Sequence, residues 1–168
     1  MKTILKFLPV LLLIFSSLAC LGQVKLGHLN SDELIVLMPE YVSAQSQLEE
    51  YEKSIIKDIE QMYAEYESKV ANFQSNERLM TDVTKETRIK EITDLETRIR
   101  EYEAKAQEDL QKKQIELISP VFEKAQTAID AVAKESGFTY VFDTSKGVVL
   151  FANDSENILT LVKKKLGI

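Results

Sequence analysis

The sequence predicts a predominantly helical α+β fold, with a long antiparallel helical hairpin attached to a small β-containing body. Three observations carry that prediction. From His28 to Ser136 there is no glycine, and only Pro39 and Pro120 interrupt the run. Glycine and proline are the strongest local punctuation, so their absence over such a length calls for long helices. Within the run, apolar residues recur three and four positions apart, the spacing of one helix face. Runs rich in β-branched and aromatic residues fall only near the two ends of the chain.

The elements follow in order. Met1–Lys6 carries two lysines, and Phe7–Phe15 is apolar apart from Pro9, with small residues Ser16, Ser17 and Ala19 after it. A basic start, a short apolar core and small residues read as a secretory signal over 1–22, too short to span a bilayer as a helix. Cleavage after Gly22 leaves Gln23 first and removes Cys20, the one cysteine. Cleavage after Ala19 would instead make Cys20 a lipid-bearing first residue. The three-region pattern favours the first outcome.

Val24–Leu29 is a short strand candidate, and Asn30 with Glu33 forms an approximate capping box for a helix over 31–38 that stops at Pro39. The outgoing arm follows. Leu48, Tyr51, Ile55, Ile59, Met62, Tyr66, Val70 and Phe73 step by 3, 4, 4, 3, 4, 4 and 3. That eleven-residue repeat suits a nearly straight helix. Polar residues dominate 74–88, which places a turn within 74–84 and makes Thr81 or Asp82 the N-cap of the returning helix. The returning stripe is Ile92, Leu95, Ile99, Tyr102, Ala106 and Leu110. At about 1.5 Å per residue the arms reach roughly 50 Å or more. Eight acid-then-base pairs four residues apart support them, from Glu49/Lys53 to Asp109/Lys113.

Ser119-Pro120 should kink or restart the returning helix, which Gly137 then ends. Thr139–Phe142 and Val148–Phe151 read as a β-hairpin, and Asn153 with Glu156 as the cap of a last helix running to Leu166. The strands lie at opposite ends, so a body must gather 23–39 and 120–168 around the hairpin of 40–119. Its roughly 65 residues make a small core, which oligomerisation usually supplements.

Composition excludes most chemistry. The net charge of −6 argues against a nucleic-acid binder. One cysteine and one histidine exclude a disulfide framework, a cysteine zinc site and a histidine cluster. No nucleophile–base pair, phosphate loop or metal spacing is present, so no catalytic residue, metal ligand or cofactor is expected. His28 lacks a partner for base chemistry and reads as structural, and Asp143 reads as a turn former. Residues 40–136 hold 22 acids against 14 bases, whereas 23–39 and 137–168 together balance at five and five. The arms therefore carry the charge. Tyr51, Ile55, Met62, Tyr63, Tyr66, Phe73 and Tyr102 either fill the seam between the arms or offer adaptable apolar contacts to an unfolded client.

Val24–Asn30, Met38-Pro39-Glu40-Tyr41, Gly137–Asp143 and Gly147–Leu150, in this order around a glycine-free hairpin, resemble the Skp/OmpH family of periplasmic chaperones. The resemblance covers essentially all of 23–168. It implies a homotrimer whose strands form a small β body, with three helical hairpins hanging from it as tentacles. It also implies ATP-independent holding of unfolded outer-membrane β-barrel proteins in the periplasm, with no catalytic residue. The best-known member is strongly basic, but these arms are net acidic. That difference argues against lipopolysaccharide binding and leaves capture to apolar contacts or to clients of opposite charge. A membrane surface remains a partner class to test. The alternative is a structural coiled-coil envelope protein, or a lipoprotein anchored through Cys20.

Overall fold

The computed structural model describes residues 24–168. The predicted export signal and Cys20 lie outside the described residues. Two compact units divide the chain: Leu34–Gln126 is one, and the described residues up to Glu33 together with Thr127–Ile168 form the other.

In the terminal unit, strand β1 (Leu26–Leu29) pairs in parallel with β2 (Tyr140–Asp143), with Leu26 opposite Tyr140 and Leu29 opposite Asp143. Parallel strands cannot be joined by a tight turn, and here the whole helical stretch is the connection. On its other edge β1 meets the chain once, where the Ile158 N–H donates to the His28 carbonyl at 2.9 Å. Gly27 is needed for packing. A Cβ there would lie 2.9 Å from two carbons of the Phe138 ring and 3.2 Å from Ile158. The Lys25 ammonium sits 4.2 Å from the centre of the same ring. His28, Leu29, Ala128, Val132, Ile158 and Val162 are buried.

Helix α1 (Ser31–Val36) begins as the sequence predicts, with the Asn30 side chain accepting from the Glu33 N–H at 3.1 Å. It ends two residues before the predicted Met38. Helix α2 (Pro39–Asn76) then opens with proline in its first turn, where the missing N–H costs nothing. A 3-10 turn (Glu77–Leu79) leads to α3 (Asp82–Glu135), whose cap is Thr81: its Oγ1 accepts from the Thr84 N–H at 3.3 Å. At about 1.5 Å per residue α2 is roughly 57 Å long and α3 roughly 81 Å. Within the middle unit, Glu40 pairs with Lys124, Asp58 with Tyr102, Tyr63 with Glu103, and Lys69 with Glu91. From Glu40 to Lys69 along α2 the partners run back from Lys124 to Glu91 along α3, so the two helices run antiparallel.

Three expectations are corrected. Of the two alternatives at Pro120, a kink or a restart, the restart is overturned, because α3 continues through the proline. A proline within a helix removes one hydrogen bond, to the carbonyl of Glu116, and the surrounding turns carry the helix across it. Val148–Phe151 forms no second strand. A strand needs partner backbone, and this segment pairs with none among the described residues, leaving Val148, Leu150 and Phe151 81%, 96% and 85% exposed. Asn153 caps only a 3-10 turn (Asp154–Glu156). The last helix, α4 (Leu159–Leu166), starts later, and the Asn157 side chain accepts from the Leu159 N–H at 2.9 Å. Both α3 and α4 end on a left-handed glycine. Gly137 has φ +70° and Gly167 φ +77°, and the residue after each donates back to the helix, Phe138 to Ala133 and Ile168 to Lys163.

Candidate functional site

The two stripes of the middle unit are not equally closed. On α3, Leu95, Ile99 and Ala106 are buried, with Ile92, Tyr102 and Leu110 half-buried. On α2 all eight stripe residues from Leu48 to Phe73 are only half-buried, and Ala44 is the one residue of that helix that is fully enclosed. A pair of slender helices shields one side of each stripe and leaves the flanks accessible.

Six of the seven candidate contact residues lie on these stripes: Tyr51, Ile55, Met62, Tyr66, Phe73 and Tyr102 are half-buried. Tyr63 lies off the stripe and is 44% exposed. Its hydroxyl donates to Glu103 at 3.2 Å, and the hydroxyl of Tyr102 donates to Asp58 at 2.9 Å. Each hydrogen bond to a carboxylate favours the protonated phenol and raises its pKa. Both rings are thereby held across the two helices with an apolar face and a polar tip, the amphipathic character that suits adaptable contact. The structure does not bring the seven into one pocket; they are strung along the helices.

Of the eight predicted charge pairs, Glu49–Lys53, Glu65–Lys69, Glu96–Arg100 and Glu108–Lys112 are closed. Lys105 turns instead to Asp109 at 2.6 Å, and Lys113 to Glu116 at 3.3 Å. Lysine binding holds the Glu49 and Glu108 carboxyls below the usual range.

In the terminal unit the polar residues form fasteners. Burial alone would raise the pKa of Asp143, but hydrogen bonds from the Ser31 hydroxyl and from the Ser145 and Ser31 amides prevail and lower it to about 2. The Ser31 hydroxyl donates at 2.6 Å and the Ser145 amide at 2.9 Å. Asp143 is thus more than a turn former, since it ties the strand end to the start of α1. The His28 ring is 8% exposed, and its Nε2 lies 3.0 Å from the Asn153 carbonyl. A carbonyl only accepts, so the proton is on Nε2, and Nδ1 is buried without a partner. Sequence reasoning missed the Ser31–Asp143 and His28–Asn153 links. They span more than a hundred residues, and no local pattern signals them.

Among the described residues, no group of three or more His, Cys, Asp or Glu is placed to hold a metal ion. No described helix is long and apolar enough to cross a membrane. An open groove beside β1 is lined by Lys25, Leu26, Phe138, Ile158 and Leu161. Its cation is already engaged, donating to the Ser136 carbonyl at 2.7 Å.

The family of outer membrane proteins described as OmpH-like matches residues 25–166. The chain belongs to the OmpH-like family. Its fold is similar to the crystal structure of a "putative outer membrane chaperone (OmpH-like)" from Caulobacter crescentus CB15. The TM-score is 0.77 at 11% identity, covering 86% of this chain and 85% of that one. No curated protein matches the sequence. The fold is thus similar despite the low sequence identity.

Proposed function

We propose that this OmpH-like protein is an ATP-independent holdase of the periplasm. It would bind unfolded outer-membrane β-barrel proteins along its helical arms and keep them from aggregating. The carrying observation is the α2 stripe, a line of aromatic, aliphatic and methionine side chains that the two-helix unit leaves half-open along its length. An unfolded chain needs many weak apolar contacts rather than one deep pocket, and such a stripe supplies them without a nucleotide or metal.

In this reading the protein works as a homotrimer. Residues 23–39 and 120–168 form the oligomerisation body, and 40–119 form the tentacle. The exposed Val148, Leu150 and Phe151, with Tyr140 and Phe142, are the apolar surface that neighbouring copies would cover. Segment 1–22 exports the chain. Tyr51, Ile55, Met62, Tyr63, Tyr66, Phe73 and Tyr102 contact the client.

The test is dilution of a urea-unfolded outer-membrane barrel from the same cell into buffer without ATP, with and without residues 23–168, followed by light scattering. Suppression saturating near three chains per client is expected. Unchanged scattering with several clients would overturn the holdase reading and favour a structural envelope role, with the fate of Cys20 then decisive.

A further inference from the structure

The acidic excess of the middle unit is not shared evenly between its helices. Helix α2 carries eight acids against three bases, and α3 thirteen against ten. The helix with the half-open stripe is therefore the more negative of the two. It also carries a second, more exposed line of apolar side chains. Val42, Glu49, Ile56 and Tyr63 stand seven residues apart, close to two helical turns, with a drift of only about 20° per step. Val42 is 61% exposed, Ile56 48% and Tyr63 44%. A shallow groove lined by Val42, Leu48, Glu49 and Glu52 opens at the start of this row.

Carboxylates border the row. Residues three or four apart are neighbours on a helix surface, so Glu52 and Glu60 flank Ile56, and Glu60 and Glu67 flank Tyr63. From α3, Glu103 accepts from the Tyr63 hydroxyl at 3.2 Å. That hydrogen bond raises the pKa of the phenol, and the charges of Glu103 and Glu96 add to the rise. The nearby bases are mostly engaged. Lys53 is taken by Glu49 at 2.6 Å, and Arg100 on α3 by Glu96 at 3.7 Å. Lys57, three residues before Glu60, forms no ion pair among the described residues, and neither do Glu52, Glu60 and Glu67. Three unpaired acids thus stand beside the row against one unpaired base.

Such a surface selects its occupant by charge. A second copy of the helix would bring the same acids, and like charges repel. A purely apolar or acidic chain gains nothing from the carboxylates. A chain with cations among its apolar residues meets both features, and a cation can also sit over the face of the Tyr63 ring. We propose that the row on α2 is a docking surface for unfolded polypeptide segments that carry lysine or arginine among apolar residues. Ile56 and Tyr63 take the apolar side chains, and Glu52, Glu60 and Glu67 take the cations. This contact rests on the holdase reading and deepens it, by naming the stretches of an unfolded chain that the arm prefers.

The probes are three labelled peptides of equal length in which Leu, Tyr and Ser alternate with Lys, with Gln or with Glu. Anisotropy with the full chain from Gln23 should rank them Lys, then Gln, then Glu. The Lys peptide should bind roughly tenfold or more tighter than the Gln peptide, and added salt should close that gap. Glu52→Gln, Glu60→Gln and Glu67→Gln together should remove most of the gap and leave the Gln peptide unchanged. Glu50→Gln, Glu86→Gln and Glu101→Gln remove the same charge away from the row and should leave the gap in place. All six positions are exposed, so both variants should keep wild-type helicity. Equal binding of the Lys and Gln peptides, binding of neither, or equal loss in the two triple variants would overturn the proposal. Suppression of barrel aggregation in the same preparation would then leave the holdase reading standing without this preference. Salt-sensitive binding of the Lys peptide by a parent that suppresses no aggregation would sink the holdase reading and leave this surface standing.

Discussion

The terminal and middle units of this chain are stabilised in opposite ways. In the terminal unit a few specific links join residues far apart in sequence: Ser31 to Asp143, His28 to Asn153, Gly27 against Phe138. In the middle unit most polar links are local, one helical turn long and exposed, repeated down two helices that meet along a stripe. Loss of one link should therefore damage the first unit badly and the second hardly at all. In the proposed holdase, the terminal unit would fix geometry and the middle unit would tolerate change, as binding many unfolded chains requires.

The largest effect should come from the exposed segment that the proposed trimer covers. Leu150→Asp with Phe151→Asp is expected to abolish trimers, leaving a folded single chain by light scattering coupled to size exclusion. A persistent trimer would place the subunit contact elsewhere. Next, Asp143→Ala removes an acceptor of several hydrogen bonds and should cost about 2–3 kcal/mol in urea unfolding at fixed protein concentration. The same carboxylate gives a pH signature. Its folded pKa, about 2, lies below the ordinary 3.8. Its contribution, about 1–2 kcal/mol after allowing for partial exposure, is thus present above about pH 4 and lost as the pH falls toward 2. The Asp143→Ala variant should lack that segment of the stability curve. Gly27→Ala, forcing a methyl group against the Phe138 ring, should cost about 1–3 kcal/mol.

Arm substitutions fill the small end of the scale. Lys53→Ala should leave the urea midpoint unchanged within error, because the Lys53–Glu49 pair is exposed to water. A clear fall in the midpoint would mean that the arm depends on single links as the body does. Salt should weaken binding of acidic clients little or even strengthen it, by screening repulsion from the acidic arms. A titration showing a steep loss of affinity would contradict that sign.

Much of this contrast was readable before any coordinates. Glycine-free length and the 3–4 spacing carry the arms, because a helix writes its pattern locally; Asn30, Gly137, the turn within 74–84 and a cap at Thr81 or Asp82 could be placed for the same reason. Where the reading went astray, nonlocal partners decide the outcome. Val148–Phe151 has strand composition, but composition does not supply a neighbouring backbone. Asn153 has the cap spacing, yet its carbonyl is engaged by His28 and the chain makes a 3-10 turn there before α4 begins. For the candidate contact surface, the sequence supplied the stripe residues but not that α2 stays half-open while Leu95 and Ile99 on α3 close. That asymmetry arises from packing between helices, which periodicity along one helix does not encode.

The central claim is that a trimeric body presents arms that hold one unfolded client. It is tested most directly by the mass of the complex between residues 23–168 and an unfolded outer-membrane barrel, measured in solution without nucleotide. The account predicts three chains and one client, with the complex lost in the Leu150→Asp, Phe151→Asp variant. A single chain bound to client with undiminished affinity, or no complex at all, would contradict it.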